Sequence, residues 1–248
     1  MMKEALKDIR ETARQLLHEP RTMLLFIATY IAMLAAATLF ITTREATVNQ
    51  VLVTFATLLA APALFFLLQA MCVSYTETNA LGEVLRRSVK NFWKLMLASI
   101  PVILCAIALY LLLWKIESAI AGPHQTPRAE WPRIIFSTLR VLLFGFAMPL
   151  VCIHLWIALM GETAGNVLRR LRPLVGRAFA PRSVKTYACG VVLFGILPYL
   201  LFISRTPFER AWLELTLLGT RLIVAFTLIL FGWVITVGAM KKGLSAEG

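Results

Sequence analysis

Six long apolar runs separated by short polar stretches dominate the chain, at approximately 23–42, 51–74, 95–114, 141–160, 187–204 and 217–240. Crossing the hydrocarbon core of a bilayer as a helix takes roughly 20 apolar residues, and each run is near that length. The apolar positions are continuous rather than alternating every second residue, which selects helices over a transmembrane barrel. The pattern predicts an all-α integral membrane fold with six transmembrane helices packed as one bundle. Residues 1–22 precede it, 23–240 form the transmembrane domain and 241–248 a short tail.

The polar stretches have their own order. In residues 1–19, Met2, Leu6, Ile9, Ala13, Leu16 and Leu17 recur at helical spacing, with Lys3, Lys7, Arg10 and Arg14 on other faces. This predicts an amphipathic helix lying in the membrane interface and ending near Pro20; the alternative is a solvated helix packed on the loops. Two later loops echo each other. Gly82-Glu83-Val84-Leu85-Arg86-Arg87 is matched 83 positions on by Gly165-Asn166-Val167-Leu168-Arg169-Arg170, each after an even-numbered span. The shared position predicts a parallel internal repeat, a helix–basic loop–helix unit present twice. Apolar residues at helical spacing make each loop a basic amphipathic interfacial helix, the second bent or shortened by Pro173. Pro62, Pro101, Pro149 and Pro198 fall one in each of the four middle spans. Each removes a helical hydrogen bond and is a candidate kink, able to shape a cavity or merely to be absorbed by packing.

Charge decides the orientation. The chain is 59% hydrophobic and 15% charged, with 25 Lys and Arg against 13 Asp and Glu. Placing the N-terminus inside puts 17 of the 25 basic residues on the inner side, which selects cytoplasmic N- and C-termini in an inner membrane. Trp93 and Trp233 then mark one boundary and Trp114, Trp131 and Trp212 the other, with Trp156 deeper. Acidic Glu4, Asp8, Glu11 and Glu19 before the first run argue for a retained span rather than a signal peptide. Cys72, Cys105, Cys152 and Cys189 all lie in apolar runs, with no disulfide framework or zinc spacing.

Candidate chemistry is sparse. None of the six apolar runs contains Asp or Glu, and Asp8 is the sole aspartate. Intramembrane carboxylate catalysis and proton relays are therefore disfavoured, and no phosphate loop, zinc-protease helix or nucleophile elbow appears. The chain is expected not to be an enzyme and to hold no cofactor or metal. His154 and Gln69 are the candidate intramembrane polar contacts, as pathway groups or as interhelical hydrogen bonds. Arg140 and Arg221 open spans four and six, where long basic side chains snorkel, with Glu209 and Glu214 close by as partners for Arg221. The strongest signal is the basic loops. Arg86, Arg87, Lys90, Arg169, Arg170 and Arg172 are the candidate lipid-headgroup contacts, although topology alone would also retain them inside.

With its Gly-x-Val-Leu-Arg-Arg turns after spans two and four, amphipathic start and six spans, the chain loosely resembles prokaryotic six-span membrane families. These include the membrane domain fused to some glycerophosphodiester phosphodiesterases and related inner-membrane proteins. The soluble phosphodiesterase part has no counterpart here, so the resemblance implies a membrane module and carries no catalytic residue over. The expected function is a non-enzymatic integral inner-membrane module that contacts anionic lipid and organises a partner protein, without nucleic acid. The alternative is a small transporter or permease whose path is lined by the proline-kinked middle spans.

Overall fold

The computed structural model describes residues 2–44, 47–75, 77, 80–121, 130–204 and 211–245. Every regular element among them is helical. A short helix α1 (Met2–Leu17) precedes α2 (Pro20–Thr42), α3 (Val48–Tyr75) and α4 (Leu81–Ala121). Then come α5 (Glu130–Arg140), a π-helical segment π1 (Val141–Ala147), α6 (Met148–Gly161), α7 (Ala164–Arg169) and α8 (Leu171–Ala178). The chain closes with α9 (Pro181–Val191), a second π segment π2 (Val192–Ile196), α10 (Leu197–Ile203) and α11 (Ala211–Ser245). Six of the resulting helical rods are long and apolar enough to cross a membrane. The chain is an all-α protein of the multi-pass membrane class.

The rods outrun the apolar stretches that predict them. The third span, expected over 95–114, belongs to one helix of 41 residues, and the sixth extends over Ala211–Ser245. The fifth begins six residues earlier than expected, at Pro181. Proline fits there because a first-turn residue needs no N–H donor and its φ is already helical; Pro20 starts α2 the same way. Apolarity marks the part of a helix that lipid can cover, and amphipathic turns continue it at either end.

Two compact units divide the chain, residues 1–92 with 180–248 and residues 93–179. In the first unit α2 and α3 lie along each other, with Phe26 and Tyr75 in an edge contact at 5.9 Å and the Thr29 hydroxyl donating to Met71 Sδ at 3.7 Å. Helix α11 touches α1, α2, α3, α9, π2 and α10. It is also the most buried of the six spans, 44% of its apolar window against 28% or less elsewhere. Small residues set its closest approach. A Cβ on Gly232 would lie 3.1 Å from the Phe194 backbone nitrogen, and one on Gly190 would overlap the Thr236 side chain. Close approach through small residues is how helices associate where lipid removes most of the hydrophobic drive.

In the second unit, Trp156 is buried and its indole N–H donates to Ser99 Oγ at 2.9 Å. Tyr110 meets Phe144 edge-on at 5.8 Å. Helices α7 and α8 both pack on α6. The helical run after Ala164 breaks at Arg170, which has φ −103° and ψ 20°. Pro173 explains the break: its ring clashes with the carbonyl four residues back, here that of Arg169, and this stops the two helices from merging.

Candidate functional site

Three groups of side chains stand out: an ion-pair cluster, the basic turns and the proline-associated π segments.

The ion-pair cluster lies in the first unit and ties together chain segments distant in sequence. Glu77, in the connection between α3 and α4, accepts from Lys241 Nζ and from Arg87, each at 2.7 Å. Arg87 also pairs with Glu83 at 2.6 Å. Asp8 of α1 pairs with Arg182 of α9 at 2.9 Å, and Glu11 faces Lys242 at 4.0 Å. Helix α1 thus docks on the start of α9 and the end of α11, burying Ala5, Thr12 and Leu16 while Leu6 and Leu17 stay exposed. Burial pushes the Glu77 carboxyl up, but Lys241 and then Arg87 outweigh it and hold the group below its ordinary value of 4.5. A depressed carboxylate stabilises the fold fully above the ordinary value and loses that contribution as pH falls through the lowered one. The stability gap between the wild type and Glu77→Gln is therefore expected to shrink as pH drops below 4.5. Melting curves across that range check it; a constant gap would refute the cluster's role.

The echoing turns share a local geometry. Helices α4 and α7 begin at Leu81 and Ala164, the same 83-residue offset as the motif. In the first, the N–H groups of Glu83 and Val84 bond the Ala80 carbonyl; in the second, those of Asn166 and Val167 bond the Thr163 carbonyl. Val84 and Val167 are both buried. The arginines differ. Arg87 is held by two carboxylates, whereas Arg170 meets one, Glu162, at 3.3 Å on an open surface. Arg86, Lys90, Arg169 and Arg172 are exposed, with no ion pair among the described residues.

Each π segment runs directly into a proline. The Met148 N–H bonds the Leu143 carbonyl and the Leu197 N–H the Val192 carbonyl, five residues back in each case, just before Pro149 and Pro198. Proline brings no N–H to the step where the hydrogen-bond register changes, and the widened turn accommodates its ring. Helix α3 runs through Pro62 and α4 through Pro101 without such a segment, both prolines exposed, while Pro198 is buried. The tripeptide Leu-Phe-Gly lies within both π segments, at 143–145 and 193–195. It also occurs at 230–232 inside the uninterrupted helix α11, so the tripeptide by itself does not mark a π segment. Phe194 of π2 stands edge-on to Trp233 at 5.2 Å.

The polar candidates inside the spans are engaged in packing. Gln69 is buried, and its Oε1 accepts from the Trp233 indole at 2.7 Å, so Trp233 is not a freely exposed boundary ring. Trp93, Trp114, Trp131 and Trp212 are exposed. His154 is buried with Nδ1 2.9 Å from the Leu150 carbonyl. A carbonyl has no proton to give, so Nδ1–H is the donor in that bond. Arg140 pairs with Glu117 and stands over the Tyr110 ring at 5.5 Å. Arg221 donates to the Ser204 carbonyl at the end of α10, where a cation complements the helix dipole. Both arginines join spans where snorkelling would have left them in the headgroups. Glu209 lies outside the described residues, as do the side chains of Met2 and Leu168. Among the described residues no group of three or more His, Cys, Asp or Glu is placed to hold a metal. Comparison with protein-family models, curated proteins and solved structures finds no match to this chain.

Proposed function

We propose that the chain is a non-enzymatic integral module of an inner membrane, with both termini and the basic turns on the cytoplasmic side, contacting anionic lipid and organising a partner protein. The observation that carries this reading is the set of exposed basic side chains at span ends, Arg86, Lys90, Arg169 and Arg172, without ion pairs among the described residues. Near an anionic leaflet each contributes about 1 kcal/mol of attraction. The common helix start, capping pattern and buried valine at an 83-residue offset support a duplicated unit as the origin of the two turns. The loose resemblance to the membrane domain of glycerophosphodiester phosphodiesterases fits the same kind of module. Extraction into lipid discs without detergent, followed by mass spectrometry, tests the reading. Stoichiometric anionic lipid or a stable protein partner is expected, and recovery of neither would remove its basis.

The π segments favour a second reading, a small permease. Such turns gather at functional sites and mark where a span changes register. Spans four and five would then be the moving elements, and substituting His154 or Gln69 would abolish uptake while leaving expression intact. Loss of function only on neutralising Arg86, Arg87, Arg169 and Arg170 would favour the surface instead.

A further inference from the structure

We infer that the two echoing turns have parted in role: the first is an internal lock, and the α7–α8 turn is the site that binds an anionic phospholipid headgroup. This rests on the lipid-contacting reading above and assigns it to one of the two loops. The first turn carries counter-charges for Arg87, while Arg86 and Lys90 stay exposed. Glu77 and Glu83 take up Arg87, and Glu77 also holds Lys241, so the motif's second arginine is committed to joining the α3–α4 connection to the end of α11. At the second turn this arrangement is missing. Asn166 stands where the first motif has Glu83, and residues 163–208 contain no Asp or Glu at all.

The charge there is left facing outward. Arg169, Arg170, Arg172 and Arg177 are all exposed, and among the described residues the ion pair made by any of them is that of Arg170 with Glu162. Helix α8 turns Ala178 inward, with Leu171 and Leu174 half-buried on the same side, and packs on α6. Its opposite face presents Arg172, Pro173, Gly176 and Arg177, all exposed. A Cβ on Gly176 would meet nothing within 4 Å, so the space between the two arginines is open. The turn is confined between the end of α6 at Gly161 and the start of α9 at Pro181. Because α7 and α8 both pack on α6, the turn is held beside the end of that span, the level at which a headgroup would lie were α6 to cross a bilayer. Charge complementarity therefore favours the phosphate of a lipid over an acidic protein.

The test compares three variants in neutral detergent: Arg169→Gln/Arg172→Gln/Arg177→Gln, Arg86→Gln/Lys90→Gln and Arg87→Gln. Each is titrated with phosphatidylglycerol, phosphatidylcholine and inorganic phosphate, and bound molecules are counted by native mass spectrometry. The α7–α8 triple variant is expected to lose phosphatidylglycerol affinity on the order of a hundredfold, from three charges, with phosphatidylcholine unchanged. Arg87→Gln is expected to lower the melting temperature and leave lipid affinity alone. Replacing the same three arginines by lysine keeps the charge and is expected to keep binding, which separates a lost site from a lost fold. Loss of binding in Arg86→Gln/Lys90→Gln but not in the triple variant would overturn the assignment while leaving the lipid-contacting reading intact. No change in either would end both. Inorganic phosphate binding as tightly as the lipid would move the site to a free anion, and capture of an acidic protein in place of lipid would equally overturn the inference.

Discussion

Gly232→Ala is expected to destabilise the first unit by about 1–3 kcal/mol, the usual cost of forcing extra volume into a packed interior. The added Cβ would stand 3.0 Å from Phe194 Cβ, 3.1 Å from its nitrogen and 3.2 Å from its Cα. None of these atoms belongs to a side-chain tip that can swing aside, and Phe194 lies in π2, where the backbone already departs from the α register. Truncating Phe194 should therefore not rescue Gly232→Ala. Gly190→Ala makes an instructive contrast. Its Cβ would overlap the Thr236 hydroxyl and methyl, which a second substitution can remove. Thr236→Ala should recover part of the loss, though Thr236 Cβ would remain 2.9 Å away. Unfolding in mixed micelles, read by tryptophan fluorescence, measures both. A Gly232→Ala protein that unfolds with the wild type would show that α11 and π2 do not meet as described.

The second large effect is expected at Arg140. Its guanidinium pairs with Glu117 and covers the Tyr110 ring, with the two side chains 24% and 17% exposed. Arg140→Ala leaves a half-buried carboxylate without its counter-charge, at a cost expected between the roughly 0.2–1 kcal/mol of an exposed pair and the roughly 3–5 kcal/mol of a fully buried one. Glu117→Gln should cost less, since the amide oxygen still accepts from Arg140. The double variant Arg140→Ala/Glu117→Ala should lose less than the two singles together, because the second removes the charge that the first strands. Strict additivity in such a cycle would mean that the pair is not formed.

How much of this was legible in the sequence follows from what kind of signal each feature leaves. The six spans were, because covering a helix with lipid demands a continuous apolar run whatever the neighbours are. Their ends were not: Arg86 and Lys90 lower hydropathy without stopping a helix, so α4 runs well past the apolar stretch at 95–114. The partners of polar residues were hidden for another reason. Trp233 and Gln69 are 164 positions apart and Asp8 and Arg182 are 174 apart, and a single chain written in order gives no measure of such distances. The prolines were visible as breaks in hydrogen bonding, yet proline alone does not separate Pro101, inside a continuous helix, from Pro198, behind a π segment.

Pro101 is the middle residue of α4, the twenty-first of 41. At 1.5 Å per residue, each arm of that helix is about 30 Å long. With one hydrogen bond missing at its centre, α4 has its weakest point half-way along. A change of about 20° in bend at that point, the size of an ordinary proline kink, would carry either tip through about 10 Å.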